Sequence, residues 1–416
     1  MPAKGGYTWD FDNPPVIEAH SLVKHELLRK YLIRYFHVTT VNPQIDIFRI
    51  VLVDAFAGGG VYERWDDKKR HEGSPLIMMK AVRQAEEEIN KTRTKPLVIE
   101  PIFFFLEKSD DGVRCLSRAL YESDAPYQDK VTLRQGDFQE MHRTLILEIA
   151  KLKRSKVLFL LDQYGYADVP VAILRTVFSS FGSPEVMLTF AVDALIDYLS
   201  TTSQRSVKNI GLSQYIPTGN ELYELKSQKS WRRKIQEKVI HGIYQESGAN
   251  FYTPFMISSS ASSRAYCFIH LSKHVRAREV MMEHHWNNSG RFFHYGGPGL
   301  GMFAYDPKKD DSLTGQLVFQ FDDDARSVSL VHLAEDLPKY IYDVEGRNGV
   351  TFEEFLVKKF NDTPATVAML REAFEPALRS QDIQIIGKNG EVRRKASAMK
   401  SDDRILPNPQ LRLKLW

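Results

Sequence analysis

Residues 48–60 read Phe-Arg-Ile-Val-Leu-Val-Asp-Ala-Phe-Ala-Gly-Gly-Gly, and this stretch decides the fold. Its first part is a short apolar run with β-branched side chains, which is typical of a strand buried on both faces of a parallel sheet. The run ends in Asp54 and is followed by the glycines 58–60. An acidic residue and a glycine turn in this order predict a strand whose carboxyl end faces a ligand site.

Helical and extended segments alternate outward from this strand. Residues 16–36 carry apolar side chains at spacings of three and four, which predicts a helix ahead of the strand. Gly73-Ser74-Pro75 supplies a turn, an N-cap and a first-turn proline for the next helix, and a strand is predicted at 98–106. Further alternating helices and strands are predicted at 109–122, 130–134, 139–153, 156–161, 169–181 and 185–190. Strands joined by single helices predict right-handed crossovers and a doubly wound, Rossmann-like α/β domain.

The regular alternation of helical and extended patterns ends after the fifth predicted strand. Residues 200–260 are polar and irregular, and because they are longer than an ordinary connection we interpret them as an inserted subdomain or lid. A strand is expected to resume at 264–271. The whole chain is then predicted to contain an amino-terminal helical extension at 1–45, the Rossmann-like domain at 46–345 and a winged helix at 346–416.

The winged helix is predicted from three local signals. Thr351 and Glu354 form a capping box at the start of one helix, and Thr363-Pro364 opens a second. Asn389-Gly390 then lies between two extended runs, which is a strong hairpin signal. Two helices followed by a basic hairpin are typical of a winged helix.

Composition limits the class of protein. Of 416 residues, 43% are hydrophobic and 26% are charged, which excludes disordered and collagen-like chains. No run is long and apolar enough to span a bilayer, and the first residues lack the apolar core of a signal peptide. The two cysteines, Cys115 and Cys267, lie among apolar neighbours and exclude a cysteine-based metal cluster. We therefore expect a cytoplasmic protein without a membrane segment.

Polar residues follow the ends of the first four predicted strands, where ligands of doubly wound sheets bind. Glycines after strand one let the backbone approach a cofactor closely. An acidic residue after strand two suits ribose hydroxyls, and an acidic residue with a phenyl ring after strand three suits an adenine. The transferred group would lie after strand four. The candidates are Asp54, Phe56, Gly58 and Gly60 after strand one, Glu107 after strand two, Asp137 and Phe138 after strand three, and Asp162 and Tyr164 after strand four.

This set favours S-adenosylmethionine over a dinucleotide. The glycines do not follow the G-x-G-x-x-G pattern, and Glu107 lies much farther along the chain than the roughly twenty residues expected in NAD sites. A purely structural turn and another nucleotide are the alternatives, because glycine turns after strands serve many purposes.

With these motifs, the chain resembles the three-Cys-motif partner (TcmP) proteins, a bacterial and phage family with a methyltransferase-like domain. The matching segments are Lys24 in the leading helix, VLVDAFAGGG at 51–60, Gly73-Ser74-Pro75, FLEKSDD at 105–111, LLDQYG at 160–165 and the carboxyl-terminal winged helix. The resemblance covers most of the chain except residues 200–260. It implies a class I methyltransferase fold and a functional or genomic partner that carries three cysteines.

The chain departs from the family pattern in two places. The family's first glycine loop usually reads Gly-Pro-Gly, where this chain has Gly58-Gly59-Gly60, and its fourth motif usually reads Asp-Pro-aromatic-Gly, where this chain has Gln163. Amino-methylating enzymes use such a proline-containing loop to hold the target amine and stack the extruded base. Asp162 and Tyr164 retain the acceptor and the ring, although a capping role for Asp162 and a packing role for Tyr164 are equally open.

Two functions are therefore carried forward. The first is an S-adenosylmethionine-dependent methyltransferase acting on nucleic acid, in which Asp162 and Tyr164 orient an amine or ring nitrogen and positioning supplies most of the catalysis. The second is a catalytically inactive, methyltransferase-like scaffold that docks a three-cysteine protein. Gln163 favours the scaffold, and the acidic ends of strands one to three favour the enzyme.

Basic residues concentrate near the carboxyl terminus. Residues 388–416 hold eight basic side chains against three acidic ones, whereas the net charge of the whole chain is only +3. Arg393, Arg394 and Lys395 are contiguous beside the predicted hairpin, and a wing commonly lies along a nucleic-acid backbone. We predict DNA or RNA contacts for these three residues, with a solvated face or a protein-docking module as the alternatives.

A histidine-rich set of residues and a glycine-rich run could also suggest ligand sites. His270, His274, Glu283, His284, His285 and His294 do not share one face of an element, so no metal site is predicted from them. The glycine-rich run at 295–301 has backbone N–H groups suited to phosphate, but tight turns have the same composition.

Overall fold

The computed structural model describes residues 7–199, 205–228, 231–259, 262–287, 293–294, 298–300, 319–320 and 323–408. The chain folds into two compact units, Met1–His284 and His285–Trp416. The strands of the first unit are β1 (Ile47–Asp54), β2 (Val61–Glu63), β3 (Arg70–Glu72), β4 (Val98–Glu107), β5 (Val131–Gln135), β6 (Lys156–Asp162), β7 (Ser183–Phe190), β8 (Phe251–Ser259) and β9 (Ser262–Ser272). The helices up to the boundary between the units, which falls within the last of them, are α1 (Ala19–Thr39), α2 (Ser74–Asn90), α3 (Asp110–Glu122), α4 (Phe138–Lys151), α5 (Val171–Ser180), α6 (Val192–Asp197), α7 (Arg205–Ile210), α8 (Gly219–Lys226), α9 (Trp231–Ser247) and α10 (Val275–Trp286).

Seven strands of the first unit form one sheet in the order β8-β9-β7-β6-β1-β4-β5. The five strands β7, β6, β1, β4 and β5 all run parallel to one another. Strand β9 lies between β7 and β8 and runs antiparallel to both. A doubly wound parallel sheet with this strand order and one reversed strand is the class I methyltransferase arrangement, so the predicted fold class is confirmed.

The central position of β1 in the sheet explains its continuous apolar sequence. β1 pairs with β4 on one side and with β6 on the other, so both of its edges are hydrogen-bonded within the sheet. Ile50, Val51, Leu52 and Val53 are fully buried. A continuous apolar run replaces the alternating pattern here because no face of the strand meets water.

Residues 200–260 differ from the expected irregular insertion, because the described part forms α7, α8, α9 and β8. Helix α9 packs against α5 and β8, and β8 pairs with β9 over its length. The buried side chains Ile235, Val239 and Ile243 recur at spacings of four, and most positions between them hold polar residues or glycine, with Ile240 as the exception. This narrow apolar stripe made the helix look like a polar loop in the sequence.

The second unit contains a helical and a wing-like part. Strands β10 (Phe293–His294) and β11 (Phe319–Gln320) pair with each other. The elements that follow are α11 (Asp323–Tyr340), β12 (Val350–Thr351), α12 (Phe352–Lys359), α13 (Val367–Arg379), β13 (Ile383–Ile386) and β14 (Arg404–Pro407). β14 lies between β12 and β13 and is antiparallel to both.

The caps and turns predicted for this unit are present, but some of the elements begin or end at other residues. The capping box of Thr351 and Glu354 is present. Helix α13 begins at Val367 with Thr366 as its N-cap, so it starts after the predicted Thr363-Pro364. Asn389-Gly390 does form a turn, with Gly390 at φ +86°, but the main partner of β13 is β14. The wing therefore carries a longer loop, residues 387–403, than the sequence indicated.

None of the described helices combines the length and the apolar character needed to cross a membrane.

An ion pair closes the long loop of the wing. The guanidinium of Arg393 donates to both carboxylate oxygens of Asp403, at 2.7 and 2.9 Å, and the Lys400 N–H donates to the same carboxylate at 2.9 Å. Asp403 is fully buried. The bond from Arg393 is the main reason that the pKa of Asp403 is lowered. The two residues tie the loop to the start of β14.

We expect Asp403→Asn to destabilise the wing, because it removes the buried charged acceptor of Arg393 and leaves only the exposed Glu391 as its ionised partner. Hydrogen exchange of peptides from 383–407 in the full chain measures this loss of protection. Asp402→Asn is the matched control, since Asp402 is the exposed neighbour with the same side chain. Equal protection in both variants would show that the pair does not hold the loop.

Candidate active site

Asp54 ends β1 at the carboxyl edge of the sheet and is fully buried. Its Oδ1 accepts a hydrogen bond from the Phe56 N–H at 3.1 Å. Its Oδ2 is buried and has no donor within hydrogen-bond distance among the described residues, while the Ser74 side chain offsets part of the effect of burial on the Asp54 pKa. Burial raises the pKa of Asp54 to about 7. This carboxyl group therefore offers an unused acceptor that changes its charge near neutral pH.

The glycine turn after β1 is covered by an aromatic side chain that the sequence did not predict. Gly58 and Gly60 adopt φ +63° and +79°, which favours glycine. A Cβ atom on Gly58 or Gly59 would lie only 2.8 or 2.4 Å from the indole of Trp9. The absence of a Cβ atom at these glycines thus makes room for Trp9, whereas the sequence predicted that a cofactor would use this space.

Trp9 belongs to an amino-terminal strap, residues 7–17, that is fixed at several points. The Phe11 ring lies between the guanidiniums of Arg70 and Arg118, at 4.7 and 4.1 Å from its centroid. Arg70 also donates to the Phe11 carbonyl at 2.8 Å. The Ile17 N–H donates to the Glu63 carbonyl at 2.9 Å. The strap is held on the same side of the molecule as the glycine turn.

Glu107 connects the glycine turn to the end of β4. Its Oε2 accepts from the Gly58 N–H at 2.9 Å, and its Oε1 accepts from the Ser109 N–H at 2.8 Å. Burial raises the pKa of Glu107. Each carboxylate oxygen can accept more than one hydrogen bond, so the side chain keeps capacity for a ligand hydroxyl.

Asp137 and Phe138 follow β5 as predicted but are engaged locally. Asp137 is the N-cap of α4, accepts from the Gln139 N–H at 2.8 Å and pairs with Lys108 at 2.8 Å. The bond from Lys108 is the main cause that lowers the pKa of Asp137. The ring of Phe138 is 2% exposed and meets the ring of Phe56 edge to face at 6.0 Å. These two rings form a joined apolar wall.

Asp162 ends β6 and forms an ion pair with helix α1. The Lys24 ammonium donates to both carboxylate oxygens, at 2.6 and 2.7 Å, and Lys24 is only 9% exposed. Burial by itself would raise the pKa of Asp162, but the Lys24 charge outweighs it and the pKa is lowered. Asp162 is therefore an ionised carboxylate with a fixed orientation. Sequence reasoning found Lys24 only through the family resemblance.

Gln163 supports the loop in which the family has proline. Its side chain is 1% exposed, and its Oε1 accepts from the N–H groups of Asp168 and Val169 at 3.0 and 3.1 Å. These bonds fix the turn without a proline ring. The Nε2 of Gln163 is buried and has no partner among the described residues. Sequence reasoning missed this orphaned donor.

Tyr164 is 57% exposed and lies at a cleft beyond Asp162. Its ring is accessible to solvent, and its role as a stacking residue stays a prediction. The prediction that Tyr164 and Asp162 act together stays a prediction, but the chain places them two residues apart at one strand end.

Histidines in the first unit serve local contacts. His25 Nδ1 lies 3.0 Å from His71 Nε2, and burial lowers the pKa of His25 to about 3. His270 is buried beside Glu185 and Tyr31. Within the described ranges, no group of three or more His, Cys, Asp or Glu side chains is arranged to hold a metal ion. The run at 295–301 lies largely outside the described residues.

The three basic residues of the wing have different surroundings. Arg393 is paired with Asp403 and with Glu391, at 2.7 and 3.0 Å. Arg394 and Lys395 are exposed. Of the predicted nucleic-acid contacts, these two present their charge to solvent.

Comparison with known proteins identifies one domain. Residues 304–390 match the model of the GMT-like wHTH domain, so the predicted winged helix is confirmed in the carboxyl-terminal region. No curated protein matches the chain.

Solved structures with low similarity include three bacterial proteins. Protein LPL1258 from Legionella pneumophila has 10% identity and a TM-score of 0.36, and the alignment covers 63% of this chain and 89% of that one. Cofactor-bound Rv0187 from MTB has 11% identity and a TM-score of 0.32, covering 62% and 89%. A putative rRNA-methylase from Clostridium thermocellum has 11% identity and a TM-score of 0.30, covering 61% and 96%. At these scores the fold assignment rests on the strand order and directions given above.

We expect Lys24→Met and Asp162→Asn each to lower the free energy of unfolding by about 3 kcal/mol, because each leaves a buried partner without its counter-charge. The double variant should lose less than the sum of the two, with a coupling of at least about 1 kcal/mol. Urea denaturation of the full chain supplies the values.

The matched control is the exposed pair of Arg49 and Glu100, which joins β1 and β4 at 2.8 Å. Arg49→Met and Glu100→Gln should each shift stability by about 0.5 kcal/mol or less. Additive losses at Lys24 and Asp162 would contradict the buried ion pair.

Proposed function

We propose that this protein is an S-adenosylmethionine-dependent methyltransferase that acts on nucleic acid. The observation that carries the proposal is a pair of orphaned polar atoms at the ends of neighbouring strands, Asp54 Oδ2 after β1 and Gln163 Nε2 after β6. Leaving a buried donor or acceptor without a hydrogen bond costs about 1–3 kcal/mol each. Such atoms call for a ligand that supplies both a donor and an acceptor.

The amino-acid end of S-adenosylmethionine has this chemistry. Asp54 would accept from its ammonium group, and Gln163 would donate to its carboxylate. Gly58 and Gly60 place backbone beside the same edge of the sheet. Both orphaned atoms are thereby satisfied by one ligand, whereas a neutral, acceptor-only ligand satisfies one of them.

The nucleoside end would be held by the residues after β4 and β5. Glu107 keeps acceptor capacity for ribose hydroxyls, and Asp137 would accept from the adenine amino group. Phe56 and Phe138 supply the apolar wall against the base. In this assignment, all the cofactor residues predicted from the sequence contribute to one ligand site.

When bound, the cofactor supplies an electrophilic methyl group. The residues of this chain would act on the acceptor. Asp162 accepts a hydrogen bond from the acceptor N–H, and Lys24 keeps the carboxylate ionised and oriented. Tyr164 stacks on the ring that carries the acceptor nitrogen. Positioning of the nitrogen lone pair toward the methyl group is then the main catalytic contribution.

The winged helix supports nucleic acid as the substrate. Residues 304–390 match a wHTH domain, and Arg394 and Lys395 carry exposed charge just beyond the matched residues. Backbone contacts of this kind position a protein on DNA or RNA without reading its sequence.

The packing of Trp9 favours a second candidate. Its indole fills the space that Gly58 and Gly59 leave free. In a catalytically inactive scaffold this closed turn would be permanent, and the chain would dock a three-cysteine protein instead of modifying nucleic acid. Calorimetric titration of the wild-type chain with S-adenosylmethionine and S-adenosylhomocysteine separates the candidates. If the chain binds neither compound, the methyltransferase proposal is wrong.

We expect cofactor affinity to fall as the pH drops below about 7, because a protonated Asp54 loses the negative charge that attracts the ammonium group. The decrease should reach up to about tenfold per pH unit. Titration calorimetry at about pH 6, 7 and 8 measures it, and transfer of a labelled methyl group to mixed nucleic acid tests turnover. Asp54→Asn should bind weakly and with a flat profile. A wild-type profile as flat as that of Asp54→Asn would remove Asp54 from the site.

We expect Arg394→Ala/Lys395→Ala to weaken DNA or RNA binding similarly for all sequences. The salt slope on duplex DNA should fall by about 0.9 for each phosphate that the variant no longer neutralises. Fluorescence anisotropy at several salt concentrations gives the slope. Lys151→Ala/Lys153→Ala removes two exposed charges at the end of α4 and is the control. Equal slopes for the two double variants would contradict a role for the wing.

A further inference from the structure

A cleft of about 380 Å³ lies beyond the ends of β6 and β7. Ten described residues line it, and four of them are tyrosines: Tyr164, Tyr166, Tyr198 and Tyr266. Tyr164 and Tyr198 are 57% and 72% exposed, so their rings stand at the mouth. Because Tyr164 follows Asp162 by two residues, the cleft adjoins the proposed acceptor carboxylate.

The walls of the cleft are fixed by contacts outside it. The Tyr266 ring stacks on His20 at 4.6 Å between centroids. The Tyr166 hydroxyl lies 3.3 Å from Ser206 Oγ, and its ring packs against Phe190 at 6.4 Å. The Ala191 N–H donates to the Gly165 carbonyl at 3.1 Å and joins the two strand ends. The inner aromatic surface is therefore preformed, and the two exposed rings are the adaptable part.

The polar lining has one sign of charge. Asp168 and Asp193 line the cleft, and none of its described lining residues is basic, whereas Arg232 approaches Asp193 to 3.5 Å from outside the lining. Burial raises the pKa of Asp168. A phosphate group would meet repulsion here, whereas an amino group that donates hydrogen bonds would be favoured. The charge thus selects the part of a nucleotide that enters.

The size of the cleft limits its occupant. Small-molecule sites occupy about 300–1,000 Å³, and this cleft is near the lower end of that range. A single planar ring system fits such a space, but a duplex does not. Aromatic cages that recognise a methylated ammonium group close around it with rings on all sides. Here two of the four rings are mostly exposed, which favours a flat ring that slides between them.

We propose that this cleft receives one unstacked nucleobase that carries an exocyclic amino group. The rings of Tyr164 and Tyr198 would stack on the base, and the cleft carboxylates would accept from its amino group. This inference rests on the proposed function and specifies its substrate as an adenine, cytosine or guanine base outside a helix. Bases with only carbonyl groups on that edge would be disfavoured.

Gly165 provides a direct test, because a Cβ atom built on it meets nothing within 4 Å. Gly165→Leu should therefore fill the cleft without disturbing its surroundings. Gly182→Leu is the matched control, since Gly182 is exposed just before β7, at the opposite end of that strand. Tyr198→Ala removes an exposed ring, with Tyr121→Ala, at an 85% exposed tyrosine on α3, as its control.

The probes are short single-stranded oligo-dT strands with one central dA, dC or dT. Anisotropy should show tighter binding of the dA and dC strands than of the dT strand. Gly165→Leu and Tyr198→Ala should each weaken dA and dC binding by roughly 5- to 100-fold, the range of base–aromatic stacking. Gly182→Leu and Tyr121→Ala should bind as the wild type does, and Gly165→Leu should keep the cofactor affinity of the wild type.

Three results would overturn the inference while leaving the proposed function intact. These are equal binding of all three strands, labelled methyl transfer by Gly165→Leu at the wild-type rate, and competition by a methyl-lysine peptide that is lost in Tyr198→Ala. A wild-type chain that binds neither S-adenosylmethionine nor S-adenosylhomocysteine would instead remove the proposed function.

Discussion

The ion pair of Lys24 and Asp162 sets the charge at the carboxyl edge of the sheet. Asp54 and Asp162 end neighbouring strands, and two buried carboxylates in such proximity repel each other. Lys24 compensates the charge of Asp162, so Asp162 stays ionised while the pKa of Asp54 rises to about 7. The position of α1 ahead of the sheet supplies that lysine. The division between one permanent and one titratable carboxyl group follows from this contact at Asp162 and from the burial of Asp54.

Much of the fold was predictable because buried parallel strands leave a clear signature. The continuous apolar run before Asp54 and the acidic or glycine-rich residues after each strand located β1, β4, β5 and β6. Helix α9 and strand β8 were missed, because the apolar stripe of α9 is narrow and Pro254 interrupts the β pattern. Local periodicity loses its information where only one thin face of an element is buried.

The candidate site was predictable as a set of residue types but not as a set of contacts. Asp54, Glu107 and Asp162 follow from strand ends alone. Their partners come from distant parts of the chain: Lys24 from α1, and Trp9 from the segment before it. Nothing in the local sequence indicates that Gln163 replaces a proline by hydrogen bonds to Asp168 and Val169, because that role depends on the path of the loop.

The amino-terminal strap imposes an order on assembly. Residues 7–17 leave the ribosome before their anchors, Arg70 and Arg118, which lie in β3 and within α3. The full set of strap contacts therefore becomes available only once the chain through Arg118 has been synthesised. Chain topology thus makes the cover of the glycine turn depend on residues more than fifty positions further along the chain.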